Sequence, residues 1–145
     1  MKKVLHVVGG MDAGGTETML MNLYREIHKE FQFDFISYYD KEGYYDNEIK
    51  ELGGKVIICD SPSKVGQIKS TINLYRLIKQ NSYEVVHAHT LFNCGSVMMA
   101  ARLAGVKVRI THAHTNLDNT TNRIKKIYFK IMRSLIKIFS TNYIA

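Results

Sequence analysis

Six short runs, most of them rich in β-branched residues and spaced by segments of helical length, constrain this chain more than any other feature. The runs are Val4–Val8, Phe33–Ser37, Lys55–Cys59, Glu84–Ala88, Val106–Thr111 and Asn142–Ala145. Most are continuous rather than alternating in polarity, as in strands of a parallel sheet covered on both faces. Between them, Thr16–Lys29, Asn47–Leu52, Val65–Lys79, Asn93–Ala104 and Asn122–Phe139 carry helical periodicity. In the first helix the expected buried face is Met19, Leu20, Leu23, Tyr24 and Ile27; in the third it is Ile68, Ile72, Tyr75 and Ile78. Gly53-Gly54 follows the second, and Gly105 is a natural cap for the fourth. "YYDKEGYYD" (38–46) reads as a turn at Gly43 with tyrosines packed on either side. The order describes an α/β protein with a doubly wound parallel sheet.

At 145 residues the chain fits one domain. Its 46% hydrophobic content and single proline exclude disorder. Cys59 and Cys94 lack C-x-x-C spacing and read as reduced core residues. The start, MKKVLHVVGG, has the lysines of an export signal but only a five-residue apolar run interrupted by His6, so it reads as a strand. No run approaches the roughly 20 apolar residues that span a bilayer. Any membrane association is expected to be peripheral, and the location cytoplasmic.

The net charge of +7 is segregated. Residues 1–106 carry twelve basic and twelve acidic side chains, whereas residues 107–145 carry eight basic ones and only Asp118. A local anionic partner is implied there. Within Asn122–Phe139, the spacing predicts a buried stripe of Ile124, Ile127, Tyr128, Ile131, Met132, Leu135 and Phe139. Lys126, Lys130, Arg133 and Lys137 line the opposite face, with Phe129 and Ile136 beside them. A solvated basic face is the ordinary reading; basic charge flanked by apolar side chains also fits anionic phospholipid. No helix-turn-helix or aromatic platform points to nucleic acid.

The chemistry is expected at the carboxyl ends of the strands, where strand order reverses. "HVVGGMDAGGTETML" (6–20) runs a strand through two glycine pairs into a helix. It lacks the lysine of a P-loop, and its glycines at 9, 10, 14 and 15 miss the G-x-G-x-x-G spacing. Gly14 and Gly15 stand where unpaired N–H groups favour an anion, so a diphosphate or a sugar held jointly with another surface is the expected ligand. A simple long turn is the alternative. Glu17 either favours the helix dipole or joins the site. Thr16 is expected to cap the helix; Asn93 and Thr115 could cap or meet ligand. Two H-A-H-T segments, 87–90 and 112–115, complete the crevice. Side chains at i and i+2 share a strand face, so each segment presents paired imidazoles. His87 and His112 read as packed histidines, His89 and His114 as lying nearer the mouth.

These segments, "VLHVVGGMDAGGTETMLMNLYREI", "GGKVIICD", "YEVVHAHT", "RITHAHT" and "TNYIA", resemble the N-terminal domain of glycosyltransferase family 4. Those are retaining enzymes of the GT-B fold, and the likeness is to members that build capsular or exopolysaccharides. It implies the Rossmann-like, acceptor-side half of a GT-B fold, cut short at its sixth strand and inactive alone, without the nucleotide-sugar-binding second domain. It implies transfer from a nucleotide diphosphate sugar to a hydroxyl, on a glycan or lipid-linked acceptor. Gly14, Gly15, Glu17 and Thr115 would serve the donor, His114 would contact the sugar beside the reacting carbon, and His89 would line the acceptor side. The basic helix would face the inner surface of the cell membrane, and neither metal nor other cofactor is implied.

Two other classes fit the residues. H-x-H pairs at strand ends could serve a metal-dependent hydrolase, with Asp12 and Asp118 as carboxylates of uncompelling spacing. The basic helix could equally belong to a non-enzymatic membrane-surface module.

Overall fold

A computed structural model describes residues 1–90, 93–112 and 121–144. The elements are β1 (Lys2–Gly9), α1 (Gly15–Ile27), β2 (Phe31–Ser37), α2 (Asp46–Glu51), β3 (Lys55–Ile58), α3 (Pro62–Val65), α4 (Gln67–Asn81), β4 (Val85–Ala88), α5 (Cys94–Leu103), β5 (Val108–His112), α6 (Arg123–Phe139) and β6 (Asn142–Ile144). The strands form one parallel sheet in the order β3-β2-β1-β4-β5-β6. Strand order therefore reverses between β1 and β4, which pair His6 with His87.

Both faces of the sheet are packed, which explains the unbroken apolar runs. Leu5 and Val7 of β1 join Val86 and Ala88 of β4 in a core with Leu74, Ile78, Val97, Met98 and Ala101 of α4 and α5. Val4, Phe33 and Phe35 pack on the other face with Leu20, Met21 and Tyr24 of α1 and Ile49 of α2. Both cysteines are free thiols, and burial pushes the Cys94 thiol up to about 11.

Gly53 and Gly105 end their helices as expected. Each has a positive φ, and the next residue's amide reaches back to Ile49 or Ala101 respectively. The expected turn at Gly43 is also present, its amide donating to the Asp46 carboxylate. Tyr45 is buried there and Tyr44 is exposed.

Three helical faces differ from their periodicity. In α1, Leu20, Met21 and Tyr24 are buried while Met19 and Leu23 are exposed. The Tyr24 ring stacks on Phe33 at 4.7 Å and its hydroxyl donates to the Leu52 carbonyl, which sets the roll of the helix. The expected helix at Val65–Lys79 is broken at Gly66, whose φ of 88° starts α4 afresh. Leu74 and Ile78 face the core, and Ile68 and Ile72 line an open apolar groove of about 470 Å³ between α4, α5 and α6. In α6 only Met132 is buried. Ile124, Ile127 and Ile131 are 79%, 60% and 52% exposed, because α6 meets α5 along Met132 and Leu135 at Gly95. The apolar stripe is thus wider than the contact. Lys126, Lys130, Arg133 and Lys137 are exposed as expected. Among the described residues, no helix is long and apolar enough to cross a membrane.

Candidate functional site

The glycine loop leaves β1 at the switch point and enters α1. Gly9 has a φ of 89°, a conformation that favours glycine, and its carbonyl accepts the Tyr38 amide. Met11 is buried, and its carbonyl accepts the Tyr45 amide, so the loop is moored to the connection after β2. Gly14 is the N-cap of α1, with no side-chain cap. Thr16, expected to cap, lies inside the helix and does not do so. The Gly14 amide donates to the Asp12 carbonyl, and the Thr18 amide to the Gly14 carbonyl. The helix-start donors therefore begin at Gly15. A β-carbon on Gly15 would meet nothing within 4 Å, whereas one on Gly14 would meet the Glu17 carboxylate. The backbone at Gly15 is accessible to a ligand.

Behind the loop, four histidines share one sheet face. The alternation of β1 and β4 turns His6 and His87 to the α1 side, and their register puts them in one row. The His87 and His89 rings are 4.0 Å apart, as expected from their i, i+2 spacing. His112 stacks on His87 at 5.4 Å, with 9° between the ring planes. His6, read in the sequence only as an interruption of an apolar run, belongs to the group. It is 2% exposed, tilted on Phe33 at 4.4 Å, and its Nδ1 lies 3.3 Å from His89 Nε2. Burial, reinforced by neighbouring His87, holds its pKa well below the usual histidine value.

His89, expected nearer the mouth, is 7% exposed and more deeply placed than His87 and His112. Its amide donates to the Val7 carbonyl, which draws the residue in beside β1. His114 and Thr115, together with Asp118, lie outside the described residues. The one sequence signal for His6 is a histidine inside an apolar strand at the switch point; its place beside the H-x-H segment comes from the β1–β4 register.

On the other side of the strand ends lies an open pocket of about 480 Å³, lined by Tyr38, Pro62, Ser63, Gln67, Thr90, Asn93 and Tyr128. Gln67 organises one wall. Its Nε2 donates to Asn93 Oδ1 at 2.9 Å and Ser96 Oγ at 2.7 Å, and its Oε1 accepts from the Tyr128 hydroxyl at 3.3 Å. Asn93 precedes α5 without a side-chain cap of its own. The Tyr38 hydroxyl is pushed up to about 12, chiefly by burial. The pocket is therefore uncharged and rich in hydroxyl and amide groups, the chemistry that recognises a polyol. Of its lining, the sequence had brought Asn93 and, within the H-A-H-T segment, Thr90 to the crevice, and had read Tyr38 and Tyr128 only as packing residues.

An accessible helix start and a hydroxyl-rich pocket flank the switch point of a 3-2-1-4-5-6 sheet, the Rossmann-like architecture shared with the N-terminal half of GT-B glycosyltransferases. Anabaena Alr3699/HepE in complex with UDP-glucose superposes on all of this chain and 37% of that one, with a TM-score of 0.67 at 14% identity. Residues 13–143 match the model for Glycosyltransferase Family 4, and the chain belongs to that family. EpsF of Bacillus subtilis strain 168, named as a glycosyltransferase, is 42% identical over 138 residues, covering 93% of this chain and 36% of EpsF. The capsular polysaccharide biosynthesis glycosyltransferase CapH of Staphylococcus aureus is 31% identical over 143 residues, covering 97% of this chain and 39% of CapH. The chain thus spans little more than a third of the length of these relatives.

Proposed function

We propose that this chain supplies the acceptor-side half of a retaining glycosyltransferase acting in polysaccharide assembly. The donor is a nucleotide diphosphate sugar, and the acceptor hydroxyl belongs to a glycan or a lipid-linked precursor. The observation that carries the reading is the accessible backbone at Gly15, at the start of α1; the pocket of Tyr38, Gln67 and Asn93, across the strand ends, adds to it. Transfer breaks the bond from the sugar's reacting carbon to the diphosphate oxygen and forms one to the acceptor oxygen. The acceptor proton leaves with the diphosphate. Amides at the start of α1 favour the charge that develops on that leaving group.

In this reading Gly14 and Gly15 let the diphosphate approach, Glu17 borders it, and His114 and Thr115 meet the donor sugar. His89 acts from beneath the cleft, holding its floor, rather than by direct contact. The greater length of the relatives leaves room for a second lobe to hold the nucleotide, so the 145-residue chain alone is expected to bind donor weakly without transferring sugar. No metal takes part in the transfer.

The exposed isoleucine ridge of α6 beside its basic row supports a peripheral seat on the inner face of the membrane, close to a lipid-linked acceptor. The test is an amide NMR titration of the chain with UDP-glucose. Shifts centred on Gly15, Thr16 and the 87–93 connection are expected. Shifts confined to other surfaces, or none at millimolar donor, would overturn the proposal.

A further inference from the structure

We infer that His6, His87 and His89 form a binding site for a single zinc-type transition-metal ion, separate from the chemistry of sugar transfer. The inference does not rest on the transferase reading. Each of the three residues offers a ring nitrogen, and these atoms all lie within 4.8 Å of one another. Two of the residues stand on paired strands, β1 and β4, in a fixed register, and His89 is tied to β1 by its amide. The scaffold is rigid, so ligands need only rotate at their side chains.

One of the three spacings matches the metal, and the others, within 4.8 Å, close by side-chain rotation. Bonds of about 2.0–2.1 Å from zinc to imidazole nitrogen set tetrahedral ligand nitrogens roughly 3.3–3.4 Å apart. His6 Nδ1 and His89 Nε2 are already 3.3 Å apart. A second observation is independent of that distance. His6 Nε2 is buried with no hydrogen-bond partner, a state that costs about 1–3 kcal/mol. If His6 and His89 share a hydrogen bond, whichever nitrogen donates, His6 Nε2 remains unsatisfied. A single ion takes one of the two nitrogens: ligation through Nε2 relieves this cost after a ring rotation, whereas ligation through Nδ1 uses the 3.3 Å spacing already present.

The donor set selects the ion. Imidazole nitrogens without a carboxylate suit zinc, cobalt(II), nickel or copper, and disfavour magnesium, calcium and manganese. His112, 5.2 Å from His89 between ring centroids and stacked on His87, stands next to the three, so water or His112 completes the coordination. The ion would fasten β1 to the end of β4 beneath the glycine loop. Its role is structural or regulatory.

The test begins with the chain stripped by EDTA and dialysed, then titrated with cobalt(II) chloride. One equivalent is expected to bind, with the visible bands of a tetrahedral nitrogen site and no thiolate charge transfer. The double variant His6→Asn/His89→Asn should weaken binding at least about tenfold. The control His28→Asn, at the far end of α1, should bind as the parent chain does. Should the double variant fail to fold, nitrogen-15 spectra of the parent's histidine rings on adding zinc provide the readout, with shifts expected at His6, His87 and His89 and none at His28. Absence of saturable uptake, uptake undiminished in a folded double variant, or unmoved signals from those three rings would overturn the inference.

Discussion

The Glu17 carboxylate folds back over the α-carbon of Gly14, so closely that a β-carbon there would overlap its Oε2. A negative group thus covers Gly14, held only by a flexible side chain, while Gly15 beside it stays open. Gly14→Ala and Gly15→Ala should therefore both fold normally, the first by displacing Glu17 and the second by entering open space. Changes in stability within about 0.5 kcal/mol are expected. If a diphosphate lies against this backbone, each should weaken UDP-glucose binding about tenfold, read by NMR titration. Unchanged affinity in both would remove the loop from the donor site.

Stability should fall with acid through His6. Because burial and His87 depress its folded pKa below 6.5, the unfolded chain takes up that proton first as pH drops. The contribution is complete above about pH 6.5 and is lost as pH falls toward the folded pKa, by about 1.4 kcal/mol per unit. Urea melts of the metal-free chain at about pH 7 and pH 5.5 measure the slope. His6→Phe, placed in the same aromatic surroundings, should flatten it; an equal slope in both chains would contradict this assignment.

Tyr83 donates to the buried Asp34 carboxylate at 2.6 Å, and Asp34 also accepts from Gln32 and the Lys55 amide. Burial and that carboxylate together raise the Tyr83 pKa. Tyr83→Phe should cost about 1–3 kcal/mol in urea unfolding, since one lone pair of a buried charge loses its donor. A loss below about 0.5 kcal/mol would mean that solvent replaces the tyrosine.

Gly95→Ala should destabilise despite the better helix propensity of alanine. Its β-carbon would stand 2.6 Å from the Met132 carbonyl oxygen and 3.1 Å from Leu135 Cβ. The obstacle is backbone, so α6 must shift, at about 1–3 kcal/mol. Thermal melts matching the parent chain would show that α6 is free to move.

Replacing Lys126, Lys130, Arg133 and Lys137 by glutamine should abolish co-sedimentation with vesicles containing phosphatidylserine. At about 1 kcal/mol per basic residue near an anionic surface, the loss should exceed a hundredfold. Ile127→Ser/Ile131→Ser should weaken the same binding through the apolar ridge. Sedimentation unaffected by either set would leave the basic face to solvent.

Element types were legible from residue patterns because strand continuity and helix caps are local properties. Val4–Val8 and the cap at Gly105 announce themselves within a few residues. What stayed hidden depends on partners distant in sequence. Tyr24 stacking on Phe33 rolls α1 away from Met19, and the narrow seat at Gly95 leaves Ile124 and Ile127 uncovered. The site divided in the same way. The accessible glycine at the start of α1 was readable, whereas His6 joined the H-x-H segment only through the β1–β4 register, and Gln67 became a pocket wall only once α4 packed beside α5 and α6.

Gly66 gives that wall a single pivot. With its left-handed φ it separates α3 from α4 and is followed at once by Gln67, whose amide group reaches α5 on one side and Tyr128 of α6 on the other. A swivel of one peptide there would swing the amide away from both helices together. The shape of the hollow is thus geared to one backbone torsion, and a change at that knuckle would remodel it while the sheet beneath stays as it is.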